Sequence, residues 1–138
     1  MKEFQVLIGE SEPLMVELLG ELIEDVVGKE SAITIYNSAY LDELREFADQ
    51  IDFKIFILTV NNIMLRSTIL PYEERVHKVL ELVSEIKAKY GVPIIIMGVE
   101  YLLTDEVMKS DADAIVKTPF KLDYFKEKLA NLLQDCRV

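Results

Sequence analysis

The chain has 138 residues, 51% of them apolar, which suits one compact domain with a core of ordinary size and leaves little room for a second. Its 25 acidic residues outnumber 15 basic ones, and the net charge of −10 repels nucleic-acid phosphates and anionic lipid alike. No apolar run reaches the roughly eighteen residues of a membrane helix, and Met1-Lys2-Glu3-Phe4 lacks a signal-peptide core, so a soluble cytoplasmic protein is expected.

The first apolar run, Phe4 to Ile8, has strand length and stops at Gly9. A helix is predicted next, with Ser11 as N-cap and Pro13 in the first turn, where a missing N–H costs nothing. Met15, Leu18, Leu19, Leu22 and Val26 form its apolar stripe, and Gly28 ends it. Ala32 to Tyr36 is a β-branched second strand, after which Ser38 is placed to cap a short helix carrying Leu41, Leu44 and Phe47. Phe53 to Val60 is apolar at nearly every position, as a central parallel strand covered on both faces should be.

An irregular stretch, Asn61 to Pro71, leads into a long helix with Val76, Val79, Leu80, Val83, Ile86 and Tyr90 on one side. Val92 to Met97 is a fourth strand. Thr104 caps a short helix through Met108, and Ala114 to Val116 centres a fifth strand. Leu122, Phe125, Leu129, Leu132 and Leu133 mark the last helix. Strand and helix alternate five times, which requires right-handed parallel crossovers. The expected fold is therefore an α/β three-layer sandwich of (βα)5 type, flavodoxin-like, with a five-stranded parallel sheet in the order 2-1-3-4-5. Its functional loops lie at the C-terminal ends of strands one, three and four. No repeat or linker interrupts the pattern, so residues 1–138 are expected to stand alone as one domain without an output domain.

Residues at those strand ends choose between a cofactor binder and a signalling domain. The runs Val6-Leu7-Ile8-Gly9-Glu10-Ser11-Glu12-Pro13-Leu14, Ile55-Phe56-Ile57-Leu58-Thr59, Val92-Pro93-Ile94-Ile95-Ile96-Met97 and Asp111-Ala112-Asp113-Ala114-Ile115-Val116-Lys117-Thr118-Pro119-Phe120 carry a resemblance to the receiver domain of two-component response regulators, over essentially the whole chain. That family places two acidic residues after strand one and an Asp at the end of strand three around a magnesium ion. The Asp accepts a phosphoryl group, and a hydroxyl after strand four and a Lys after strand five bind its oxygens. Metal and lysine neutralise a dianion while the carboxylate attacks in line.

Carried over residue by residue, the resemblance implies a lost site. Glu10 keeps the first acidic position. Ser11 stands at the second, Thr59 at the phosphoacceptor, Gly98 at the hydroxyl and Thr118 at the lysine. Ile115 occupies the switch-aromatic position, and the Thr118–Pro119 bond is the counterpart of one usually cis in receivers. Any residual divalent-metal affinity would rest on Glu10 alone, so no metal is expected. A hydroxyl at Thr59 lacks both the carboxylate's charge and an activating base. Lys117 does not restore the lysine, because neighbouring strand residues point to opposite faces.

The remaining candidates read more plainly. His77, the single histidine, lies off the apolar stripe beside Glu73, Glu74 and Glu81 and reads as a solvated surface group. Glu10, Glu12 and Asp105 read as ordinary loop charges or as an adventitious divalent site, and one Cys (Cys136) with one His makes no zinc site. The acidic Gly9-Glu10-Ser11-Glu12-Pro13 loop would repel the phosphate of FMN, so no cofactor is expected. The Asn61–Tyr72 stretch carries Ile63, Met64, Leu65, Ile69 and Leu70, a packed loop or an apolar contact surface. Tyr101-Leu102-Leu103 reads either as core or as apolar surface near helix 4, strand 5 and helix 5, the face through which receivers commonly dimerise.

The expectation is a stand-alone pseudo-receiver that transduces signals through protein partners, including a homodimer through that face, without phosphorylation, catalysis, nucleic acid or membrane. A phosphorelay response regulator with altered ligands and a small-molecule binder using the remodelled cleft are the alternatives.

Overall fold

A computed structural model describes residues 2–60 and 71–134. The order is β1 (Lys2–Gly9), α1 (Pro13–Val27), β2 (Ser31–Ser38), α2 (Leu41–Gln50), β3 (Phe53–Thr59), α3 (Tyr72–Tyr90), β4 (Ile94–Val99), α4 (Asp105–Met108), β5 (Ala114–Thr118) and α5 (Leu122–Gln134), with a 3-10 turn over Glu100–Leu102 after β4. The five strands are parallel in the order β2-β1-β3-β4-β5, the flavodoxin-like arrangement read from the sequence. No helix among the described residues is long and apolar enough to cross a membrane.

Alternation along the strands divides the core in two. Leu7, Phe56, Leu58, Ile94 and Ile96 face α2, α3 and α4, burying Leu44, Val76, Leu82, Val83, Ile86 and Val107. Val6, Ile8, Ile55, Ile57, Ile95, Met97 and Val116 face α1 and α5, burying Leu19, Leu22, Ile23, Phe125, Leu129 and Leu133. Both faces of β3 are therefore covered, which explains why it is apolar throughout. At Gly20 the helix lies so close to the sheet that an added Cβ would stand 2.8 Å from Ile35 Cδ1.

Several boundaries and local contacts differ from the sequence reading. Glu12, not Ser11, is the N-cap of α1, and no side chain caps it; the Ser11 and Glu12 amides just before the helix both donate to Glu10 Oε1. Tyr40 is the N-cap of α2; Ser38 ends β2 and its Oγ accepts the Tyr40 amide at 3.0 Å instead. Thr104 stands at the N-cap of α4 but makes no side-chain cap bond. Strand β3 ends at Thr59, one residue short of Val60, and β5 extends on to Thr118. The α3 face buries Leu82, absent from the expected stripe, while Leu80 and Tyr90 are only half-buried. Leu122 is exposed. Residues 61–70 and Cys136, with the calls made on them, lie outside the described residues.

Helices α2 and α3 are joined by polar contacts at the rim of their packed faces. Asp49 accepts hydrogen bonds from Lys89 Nζ at 2.8 Å and from the Tyr90 hydroxyl. The Lys89 bond, followed by the Tyr90 bond, holds the Asp49 carboxyl below its ordinary range. A depressed carboxylate contributes stability above its unfolded pKa and loses it as pH falls through the folded value. The stability advantage of the native chain over Asp49→Asn is expected at neutral pH and should shrink steadily on acidification, followed by urea unfolding at a series of pH values. Because the pair is fully solvated, the difference should be small throughout.

Candidate functional site

The C-terminal ends of β1, β3, β4 and β5 meet where the sequence places its candidate residues. Glu10 follows β1 directly and is 3% exposed, a buried carboxylate. Its position is over-determined. The Glu10 amide donates to the Ser38 carbonyl at 3.0 Å, and Asn37 Nδ2 donates to the carbonyls of Ile8 and Glu10 at 3.2 and 2.8 Å. The side chain turns back on its own loop, where Oε1 accepts the Ser11 and Glu12 amides, each at 3.0 Å. Asn37 was not singled out from the sequence; an amide side chain at the end of an otherwise β-branched strand is the signal that marks it.

Parity of the strands assigns the other residues to faces. Thr59 has the parity of Ile57, and Thr118 that of Val116, so both stand on the α1/α5 side of the sheet. Glu10 has the parity of Ile8, and Gly9 pairs with Leu58, which brings Glu10 beside Thr59 across the β1–β3 junction. Thr59 is 3% exposed, and its Oγ1 is buried with no hydrogen-bond partner. Thr118 Oγ1 is likewise buried and unpartnered. Gly98 is buried on β4 between them, paired with Lys117. Ser11, which the resemblance sets at the second acidic position, is solvent-exposed.

Lys117 and Ile115 fall on the opposite face. Lys117 is exposed and its Nζ lies 3.9 Å from Glu100 Oε2. Ile115 is half-buried against the α2/α3/α4 core. The Thr118–Pro119 peptide is cis. His77 does not pair with Glu73, Glu74 or Glu81 on its own helix; its Nε2 stands 3.7 Å from Glu106 Oε2 on α4. That pair edges a cavity of about 390 Å³ between α3 and α4, lined by Tyr72, Glu73, Val76, His77, Thr104, Asp105 and Glu106. Asp105 therefore belongs to that groove, and Glu12 is exposed.

An unsatisfied buried hydroxyl costs stability that an isosteric methyl does not, about 1–3 kcal/mol for the desolvated group. Thr59→Val is therefore expected to hold or raise the urea-unfolding free energy, by about 1 kcal/mol. A loss of that size instead would show that the hydroxyl has a partner.

No family model matches the chain, and no curated protein does. Solved structures do. The response regulatory domain of protein mrkE from Klebsiella pneumoniae aligns at 17% identity and a TM-score of 0.69, covering 96% of this chain and 97% of that one. The receiver domain of a Pseudomonas aeruginosa sensor histidine kinase, described with a magnesium ion coordinated in its active-site cleft, aligns at 14% identity and a TM-score of 0.67, covering 96% and 98%. A member of a family of redox sensors in the streptococci, described as evolved from two-component response regulators, aligns at 14% identity and 0.67, covering 96% of this chain and 52% of that one.

The residues present here do not fit magnesium. The ion keeps near-octahedral oxygen geometry and is usually held through one or two carboxylates. Among the described residues Glu10 is the carboxylate placed at this sheet end, and one of its oxygens is committed to two amides. Ser11 is exposed and Thr59 offers a neutral hydroxyl. Among the described residues no three His, Cys, Asp or Glu side chains converge as a metal site. In fold, and along nearly its whole length, the chain resembles the receiver domains of response regulators.

Proposed function

We propose that the chain is a pseudo-receiver: a non-enzymatic signal-transduction domain that acts by binding other proteins, independently of phosphorylation. The observation that carries this reading is the pair of buried, unpartnered hydroxyls, Thr59 Oγ1 and Thr118 Oγ1, at the positions of the phosphoacceptor and the lysine. A receiver needs a carboxylate nucleophile, a metal and a cation around a dianionic group. At this sheet end one carboxylate remains, turned onto the Ser11 and Glu12 amides, and the chain's nearest lysine in sequence faces away. An incoming phosphoryl group would meet the buried Glu10 carboxylate, and no cation among the described residues pairs with it.

Signalling by contact needs a surface, and the α4–β5–α5 side supports one. Tyr101, just before α4, is 81% exposed, Met108 on α4 58%, and Leu122 and Tyr124 on α5 49% and 44%. Large apolar side chains left in water on one side of a domain mark interaction surfaces. A protein partner, or a second copy of this chain, would bury them there. With a net charge of −10, the chain favours a partner that brings basic residues to the rim of such a contact.

Acetyl phosphate with magnesium is expected to leave the mass of the intact chain unchanged. The fourfold variant Ser11→Asp, Thr59→Asp, Gly98→Thr, Thr118→Lys should gain a hydroxylamine-labile phosphoryl increment under the same conditions, measured by intact-protein mass spectrometry. Incorporation into the native chain would overturn the proposal.

A further inference from the structure

Away from the sheet end, the groove between α3 and α4 has a chemistry that the proposed function leaves unused. Its volume of about 390 Å³ is that of a small ligand pocket, and it opens to solvent. Helix α3 lines it with Tyr72 and Val76 and with Glu73 and His77, each pair four residues apart and so on one face of the helix. Helix α4 adds Asp105 and Glu106. Two contacts fix the spacing of these walls. The Tyr72 hydroxyl donates to the Leu102 carbonyl at 3.0 Å, and His77 Nε2 stands 3.7 Å from Glu106 Oε2. Among the described residues no cation pairs with Glu73 or Asp105, and Glu106 meets only that imidazole, beyond hydrogen-bond distance. Arg75 lies 5.7 Å from the Tyr72 ring centroid but does not line the groove. The lining therefore holds three carboxylates, one tyrosine ring and an apolar patch at Val76, against a single imidazole.

From this charge imbalance we infer that the α3–α4 groove receives an arginine side chain of a partner protein. The occupant is selected by the lining. An anion is repelled by Glu73, Asp105 and Glu106. A compact divalent ion is not served, because among the described residues no three acidic or imidazole side chains converge as a metal site. A guanidinium is broad and planar, with five N–H donors that reach carboxylates on both walls at once. Its plane stacks on an aromatic ring, which the groove supplies at Tyr72, and it sheds water more readily than an ammonium. The surroundings point to a protein rather than a free cation. Tyr101, 81% exposed, directly precedes the Leu102 carbonyl that holds Tyr72. A polypeptide laid across the groove mouth covers that ring, whereas a small cation leaves it in water. The net charge of −10 draws a basic partner to the same surface. The inference rests on the reading of the chain as a contact-signalling domain and names the residue type that one contact takes.

The test is an amide NMR titration of the full chain, followed at Glu73, His77, Asp105 and Glu106. The probes are a Leu-Arg-Leu peptide blocked at both ends, the same peptide with citrulline or with lysine in place of arginine, and methylguanidinium chloride. Saturable shifts are expected with the arginine peptide and none with the citrulline peptide, which keeps the shape and loses the charge. The lysine peptide and methylguanidinium should each bind several-fold more weakly, the first for want of a planar cation and the second for want of flanking residues to cover Tyr101. The double variant Glu73→Gln, Glu106→Gln, both at exposed positions, should weaken the arginine peptide about tenfold or more. The control Glu17→Gln, Glu21→Gln removes the same charge from the exposed side of α1 and should change binding less than about twofold at physiological salt. No saturable shift with the arginine peptide would overturn the inference. So would an equal response to citrulline, lysine or methylguanidinium, or an equal effect of the two double variants. Acetyl-phosphate labelling is read by mass on the same chain, so a failure of the pseudo-receiver reading is told apart from a failure of this one.

Discussion

Successive residues of a strand point to opposite sides of the sheet, and in a five-stranded parallel sheet covered on both faces that constraint reaches every part of this molecule. It separates the core into a layer under α2, α3 and α4 and a layer under α1 and α5. It also decides what meets at the sheet end. Glu10, Thr59 and Thr118 share the parity of Ile8, Ile57 and Val116, while Ile115 and Lys117 share that of the other layer. A lysine one position away in sequence is thus on the wrong side of a sheet, paired with Glu100. The proposed function turns on this more than on any single missing aspartate.

The exchange of charged for neutral groups that the resemblance implies is physically coherent. Buried carboxylates placed together repel one another and hold their charge only with a metal or a cation beside them. With Thr at the acceptor and lysine positions, neither is required, and the remaining Glu10 is stabilised locally by the Ser11 and Glu12 amides. The Asn37 amide and the Ser38 carbonyl hold the same loop against β2. The loop after β1 is a self-contained turn. What remains unsatisfied is the pair of threonine hydroxyls, and a cleft that keeps unpaired polar groups forgoes stability there.

Much of the architecture was legible because it depends on periodicities that local sequence carries. The unbroken apolar run at Ile55 to Leu58 marks a doubly covered strand, and Gly28, with a φ of 99°, ends α1 where a side chain would be strained. What was not legible depends on competition between neighbours or on contacts across the fold. Ser11 has the chemistry of an N-cap, but the helix begins one residue later, so that Glu12 holds the cap position. Leu82 escaped the stripe drawn for α3 because a helix wedged between a sheet and two neighbours buries a wider arc than a surface helix. His77 meets Glu106 from another helix, a pairing to which spacing along α3 is blind. At the cleft, the identities of Glu10, Thr59, Gly98 and Thr118 could be read by position. The orphaned state of the two hydroxyls could not, since it depends on every group around them.

The central claim is that this sheet end has lost the capacity to assemble a metal and a phosphoryl group. It is tested most directly by amide NMR of the chain in magnesium with beryllofluoride, which mimics a bound phosphoryl group. The account predicts no saturable shift at Glu10, Ser11, Thr59, Gly98 or Thr118. Saturable, magnesium-dependent shifts at those residues would contradict it.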